Sequence, residues 1–318
     1  MPQPDDAILA ELAAHAKGYG DEPLRLSFED AWRRWQKSIG MARQRYKGPA
    51  KARKPRDRTR YVVLPDLHAP FHEEAMFADF IARESQRADE CVCIGDLGDA
   101  YALSRFLQYE SVPYRDEWAQ VTLVIQVLSE SFPKVRVILG NHDMRLEKQL
   151  RAHVTRDMVD AIECLTGGVL DPIRAIAKRF PNVEVVSHAT KSGHLVWWFT
   201  TIGDAILLHA EKYSKVPGSV LRSIDDWIDD NRLHMQIPDV KLVLQGHTHQ
   251  MAMIPWRADR LLVEVGCLCQ TQGYMTGPRI GGRPQKRGYV WFEQRDGVTD
   301  LNSVGMHCYD FDTRFTSG

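Results

Sequence analysis

Five short apolar runs between residues 61 and 245 each break off at a group of Asp, Asn or His residues, and this recurrence constrains the fold more than any other feature of the 318-residue chain. Residues 61–64 lead into Asp66-Leu67-His68, 91–94 into Gly95-Asp96-Leu97-Gly98-Asp99, and 135–139 into Gly140-Asn141-His142-Asp143. Residues 205–208 end at His209, and 241–245 lead into Gly246-His247-Thr248-His249. Apolar runs of four or five residues fit strands buried on both faces, and helix-patterned stretches at 73–87 and 114–131 separate the first three. A β-α-β-α-β order of this kind predicts a parallel-rich α/β core. In such a core ligands bind beyond the carboxyl ends of the strands, where the loops converge. All five polar groups are expected there.

The chemistry of those groups narrows the ligand. Carboxylate, imidazole and amide donors together suit divalent transition metals, whereas Ca²⁺ prefers shells of oxygen alone. The spacing in Asp66/His68 and in His247/His249 lets alternate side chains of an extended turn reach neighbouring ions. The glycines before Asp96, Asn141 and His247 are expected to let the chain bend as it leaves each strand.

The ordered set D-x-H, G-D-x-x-D, G-N-H-[DE], H and G-H-x-H resembles the calcineurin-like metallophosphoesterase superfamily over roughly residues 60–300. The resemblance implies an α/β fold, a sandwich of two mixed β-sheets flanked by helices, with two metal ions at one edge. It implies that Asp66, His68 and His249 hold the first ion, that Asn141, His209 and His247 hold the second, and that Asp96 bridges them. It further implies that a metal-bridging hydroxide attacks phosphorus in line, that His142 protonates the leaving oxygen, and that Asp99 orients His142. The ions are expected to be Mn²⁺ first, with Fe, Zn²⁺, Co²⁺ or Ni²⁺ as alternatives. One departure stands out. The protein-phosphatase branch carries Arg directly after the second Asp of G-D-x-x-D, and here that position is Ala100. Arg145, two residues past Asp143, is the candidate to contact a substrate phosphate, with Arg105 a weaker one.

The rest of the chain divides around this domain. Helical patterns at 5–17 and 28–45, the second with Phe28, Trp32, Trp35 and Ile39 on one face, suggest a helical N-terminal extension over 1–45. A basic linker follows at 46–60, then a catalytic domain at 61–318 with a helical, cap-like insert at about 144–180 broken at Gly167-Gly168 and Pro172. Further strands are expected at about 183–187, 194–201, 204–209, 261–265, 288–294 and 298–303, and a helix at 216–233. The formal net charge is −1, yet residues 41–60 hold nine Lys or Arg and one Asp. That stretch is either a solvated hinge or a contact for a phosphate backbone.

Composition excludes less than the motifs include. At 44% hydrophobic and 26% charged residues the chain is ordinary for a globular protein. No apolar run approaches the roughly 18 residues of a membrane span, and the first residues do not read as a secretory signal. Six cysteines without such a signal suggest reduced thiols and a cytoplasmic location. The pairs Cys91/Cys93 and Cys267/Cys269 offer zinc ligands, but no second pair has the spacing of a structural zinc site, so they read as small buried hydrophobes; His72 reads as a residue that either lines the site or packs. The stretch 266–288 resembles the corresponding region of phage-encoded phosphoesterases, which would place the chain in a host cytoplasm. The expected partner is a phosphate-ester substrate: a nucleic acid or nucleotide diester, with nucleic acid contacted through 41–60, or a small-metabolite monoester. A non-catalytic scaffold is disfavoured because every matching ligand position is filled. Oligomeric state is left open.

Overall fold

The computed structural model describes residues 57–104, 112–166, 170–214, 216, 218–271 and 285–312, together with 33, 37 and 40. The helical patterns at 5–17 and 28–45, Trp32, Trp35, most of the basic linker, and Arg105 lie outside the described residues, apart from the isolated positions just named.

Two mixed sheets face each other. The first is built from β1 (Thr59–Leu64), β2 (Glu90–Ile94), β3 (Val135–Ile138) and β4 (Val183–Val185), which run parallel in that order. Helix α1 (Glu74–Glu84) connects β1 to β2, and α2 (Tyr114–Ser131) connects β2 to β3. Three more helices, α3 (Arg145–His153), α4 (Arg156–Thr166) and α5 (Pro172–Ala177), precede β4. The chain then forms the hairpin β5 (His188–Ala189) and β6 (Leu195–Val196) before entering the second sheet with β7 (Phe199–Ile202) and β8 (Ala205–Leu208). Helix α6 (Ser219–Asn231) leads to β9 (Leu242–Gln245), β10 (Met251–Trp256) and β11 (Arg260–Val265), giving the sheet order β10-β11-β9-β8-β7. The chain returns to the first sheet through β12 (Gly288–Arg295), antiparallel to β1, which also pairs with β13 (Val298–Thr299) and β14 (Gly305–Cys308).

The alternation of side chains along each strand explains the layers. Tyr61, Val63, Val92 and Ile94 meet Leu207, Leu242, Leu244 and Val263 between the sheets. Val62, Leu64, Cys91 and Cys93 turn the other way, against Phe77, Phe80, Leu123 and Val127 of α1 and α2. Ile206, Leu208 and Val243 of the second sheet pack on Leu221, Ile224 and Ile228 of α6. Helix, sheet, sheet and helix are stacked in that order, as the resemblance implies. Among the described residues no helix is long and apolar enough to cross a membrane.

Several local expectations are revised. β1 begins at Thr59, within the range read as linker. Arg60 pairs with Glu84 at 3.0 Å and lies over the Trp291 ring, and Arg58 pairs with Asp300. Two of the nine basic residues of 41–60 are thus engaged by protein carboxylates. The expected strand 194–201 is split, because the Trp197 carbonyl accepts from Leu139 N–H and the Trp198 carbonyl from His209 N–H, which ties two strand ends together. The expected strand 298–303 stops at Thr299, where the Asp300 side chain accepts the Asn302 N–H and turns the chain. Pro172 opens a helix, with the Asp171 carboxylate accepting from Ile173 and Arg174 N–H. Of the helices in 144–180, α5 packs in the core through Ile173, Ile176 and Ala177, while much of α3 and α4 is exposed. β10 carries Pro255, which argues against a strand in sequence, and it stands at a sheet edge where proline is tolerated.

Leu244 is fully buried between the two sheets. Leu244→Ala should lower the unfolding free energy by about 2–5 kcal/mol in urea titrations; a loss below about 1 kcal/mol would mean that the sheets do not share one packed interior.

Candidate metal centre

The parallel order of β1, β2 and β3 brings the first three polar groups side by side, and the ends of β8 and β9 deliver the other two from the facing sheet. Backbone bonds lock the loops together. Leu67 and His68 N–H both donate to the Asp96 carbonyl, and His247 N–H donates to Asp66 Oδ1 at 2.9 Å. Asp66, His68, Asp96 and His209 are essentially inaccessible, and His249 is buried as well. Two glycines make the approach possible. Gly95 has φ +103°, and a Cβ there would lie 2.3 Å from His209 Nδ1; a Cβ on Gly140 would lie 2.0 Å from Asp96 Oδ1. At Gly140 the need is for space, not for the bend the sequence suggests. Four side-chain-bearing residues, His68, Asp96, His247 and His249, also adopt positive φ between 48° and 66°. This backbone costs on the order of 1–3 kcal/mol per residue and clusters at functional sites.

All seven expected ligands converge. Asp96 Oδ2 lies 3.2 Å from His209 Nε2 and 3.6 Å from His68 Nε2. Asp66 Oδ1 lies 3.4 Å from His249 Nε2, whose ring nitrogen is 3.1 Å from His68 Nε2. Asn141 Oδ1 is 3.2 Å from His209 Nε2. Ligand atoms of Asp96, His209 and His247 fall within 4.8 Å of one another, and so do those of His68, Asp96 and His142. His209 Nδ1 donates to the Ile94 carbonyl at 2.8 Å, which fixes a proton there and turns Nε2 toward Asp96.

Around these residues lies a second set. Asp99 Oδ1 is 2.8 Å from Nδ1 of His142 and 2.8 Å from Nδ1 of His68. The expected Asp99–His142 contact is therefore present, and the same oxygen also orients His68, which the sequence did not indicate. Arg145 Nη1 donates to the Asp99 carbonyl at 2.8 Å, and its Nη2 lies 3.1 Å from His142 Nε2. Asp143, noted in sequence only as the end of a motif, accepts Gly98 N–H at 3.0 Å and Gly140 N–H at 2.8 Å, stapling two site loops. Glu117 of α2 is buried and accepts Ala102 N–H at 3.2 Å, holding the turn just past Asp99. No motif marks it. His72 does not join these groups; it is buried beside Phe77.

The electrostatics test whether metal fits. Among the described residues, the ion-pair partners of Asp66 and Asp96 are all histidines. Burial opposes charge on both carboxyls, but the imidazoles, His209 foremost, hold them below the usual carboxylate range. Against burial, Asp96 and Asp66 push His209 up to about 10. Burial likewise opposes the charge on His249, which Cys267 and Asp66 push up to about 9. Burial and the neighbouring His209 push His247 down to about 4. Two buried anions thus require positive charge and draw protons onto imidazoles to supply it. Divalent ions would meet the same requirement and displace those protons, so the donor set fits divalent metal.

A family profile described as calcineurin-like phosphoesterase matches residues 59–251. No curated protein matches the sequence. Solved structures similar to this chain include Vps29 from Chaetomium thermophilum, at 11% identity and TM-score 0.34, covering 79% of this chain and 96% of that one. A hypothetical protein from Thermus thermophilus has 14% identity and TM-score 0.39, covering 79% of this chain and 98% of the other. At these scores both likenesses are distant.

Two outcomes follow from the second set of residues. Because Asp99 orients both His68 and His142, Asp99→Asn should weaken metal binding by about 10–100-fold as well as slow turnover. His142→Ala should slow turnover and leave metal content intact; equal metal retention by both variants would contradict the shared role. Burial, partly offset by the Ala102 N–H and reinforced by Asp99, pushes Glu117 up to about 7. The folded protein then binds more protons than the unfolded chain between the ordinary value of 4.5 and about 7, so this group costs stability as pH rises through that window. Glu117→Gln should match the wild type below pH 4.5 and exceed it by on the order of 2 kcal/mol at pH 8, read from urea unfolding at the two pH values.

Proposed function

This chain belongs to the calcineurin-like phosphoesterase family and is a metal-dependent phosphoesterase; from that premise we propose that it hydrolyses phosphodiesters, with a nucleic acid or nucleotide as substrate. The observation that carries the reading is the His142–Asp99–Arg145 arrangement beside the ligand cluster. Asp66, His68 and His249 would hold one ion, Asn141, His209 and His247 the other, and Asp96 both, with Mn²⁺ the first candidate and Fe, Zn²⁺, Co²⁺ or Ni²⁺ alternatives. When bound, the ions supply a water of lowered pKa and neutralise charge on the phosphoryl oxygens.

The protein's own groups do the rest. His142 stands beside the cluster, and its Nδ1 is held by Asp99, so Nε2 is the atom that gives its proton to the leaving oxygen. In the resting arrangement Nε2 faces Arg145 Nη2. An incoming phosphate draws the guanidinium onto its own oxygens. That movement frees the Nε2 lone pair, which takes up a proton from solvent and passes it to the leaving oxygen, coupling substrate binding to proton donation. One guanidinium is a modest positive complement, which suits a monoanionic diester better than a dianionic monoester. Ala100, where the protein-phosphatase branch carries Arg, fits the same preference.

The basic stretch extends the reading to polymers. Besides Arg58 and Arg60 it holds seven Lys or Arg, outside the described residues, that would contact a phosphate backbone.

Metal-stripped protein reloaded with Mn²⁺ should hydrolyse bis-p-nitrophenyl phosphate in preference to p-nitrophenyl phosphate, with Asp96→Asn inactive on both; monoester preference would transfer the assignment to a small-metabolite phosphatase. Replacing the seven basic residues with Gln should weaken DNA or RNA cleavage and flatten its salt dependence while sparing the chromogenic diester. Equal losses on polymer and small diester would refute the polymer contact.

A further inference from the structure

The two Cys-x-Cys pairs look alike in sequence and differ in the structure. Cys91 and Cys93 lie on β2 and pack in the apolar layer under α1 and α2. Cys267 and Cys269 are equally buried, yet neither belongs to any of the three apolar clusters. Leu268 between them does, packing in the first. Alternation along an extended segment therefore turns both thiols away from that core.

The segment is fastened to the metal-site loop. Leu268 N–H donates to the Asp66 carbonyl at 2.9 Å, Glu73 N–H to the Leu268 carbonyl at 2.9 Å, and Gln270 N–H to the Phe71 carbonyl at 2.8 Å. Cys269 Sγ lies 3.9 Å from His249 Nδ1. Sγ and one ring nitrogen from each of His68 and His249 fall within 4.8 Å of one another. Bonds of about 2.0 Å to nitrogen and 2.3 Å to sulfur span at most a little over 4 Å between donors, so the three would have to close up by a few tenths of an ångström, with the His249 ring shifting, to share one ion. Gln285 Nε2 lies against the same pair, 2.6 Å from His249 Nδ1 and 3.6 Å from Cys269 Sγ.

We infer that Cys269 is an additional, thiolate ligand of the ion held by Asp66, His68 and His249, and that it biases that position toward Zn²⁺ or Fe²⁺ over Mn²⁺. The inference rests on the two-metal reading above. A soft sulfur donor favours Zn²⁺ and iron, whereas an all-imidazole, carboxylate and amide shell does not discriminate against Mn²⁺ in this way. On binding, the S–H bond breaks, the S–metal bond forms and the proton passes to solvent. Cys267 points the same way along the segment and its charge bears on His249, but it is not part of the three-ligand group, so Cys267→Ser separates ligation by Cys269 from the mere presence of a thiol nearby.

The test uses full-length, metal-stripped protein reloaded with Co²⁺. The wild type and Cys267→Ser should show both visible d–d bands and a near-ultraviolet sulfur-to-cobalt charge-transfer band. Cys269→Ser should keep the first and lose the second. After loading from an equimolar Zn²⁺/Mn²⁺ mixture, the bound Zn²⁺:Mn²⁺ ratio by elemental mass spectrometry should fall about tenfold in Cys269→Ser. Wild-type d–d bands without charge transfer would overturn the thiolate assignment and leave the two-metal reading standing; absence of both would overturn the metal centre itself. Should Cys269→Ser fail to fold, the wild-type and Cys267→Ser spectra still decide.

Discussion

Asp96 is a carboxylate with almost no access to water, held below its ordinary pKa by three imidazoles rather than by any Lys or Arg among the described residues. A buried anion of this kind is costly unless positive charge stands beside it, and much of the site can be read as the means of arranging that. Its carbonyl accepts two N–H groups from the Asp66–His68 turn, and its Oδ1 accepts His142 N–H at 2.9 Å. Gly140 leaves room for its carboxylate, and Gly95 leaves room for His209 to reach it. One residue thereby ties together the ends of β1, β2, β3 and β8.

The fold serves this convergence. Parallel strands place their carboxyl ends on one edge, and the face-to-face sheets bring His209, His247 and His249 to the same edge from the other side. The apolar interior between the sheets holds the two edges in register, so that left-handed backbone at His68, Asp96, His247 and His249 can be maintained. Strain is tolerated there because each loop is bonded to another, through Asp143, Asp66 and the carbonyls of Asp96 and Ile94.

Much of this was legible in the sequence, for identifiable reasons. The apolar runs and their polar ends fix which residues leave the strands together, and the resemblance to the metallophosphoesterase pattern is what named the seven converging residues and the contact between Asp99 and His142. Helix α2 ends where its pattern ends. What escaped reading depends on neighbours distant in sequence. The second contact of Asp99, to His68, needs two loops to be adjacent. Glu117 supports the site from mid-helix with no motif around it. The two Cys-x-Cys pairs are separable only by which layer their side chains enter. β10 was hidden by Pro255, whose cost vanishes at a sheet edge. Arg58 and Arg60 read as linker charge until β1 and its neighbours supplied their carboxylates.

The central proposal is that Asp96 would be a ligand of two metal ions. Anomalous-difference diffraction from Zn²⁺-soaked crystals tests it most directly. Two peaks flanking Asp96, one beside Asp66, His68 and His249 and the other beside Asn141, His209 and His247, are the predicted result. A single peak, or peaks that leave Asp96 uncoordinated, would contradict the account.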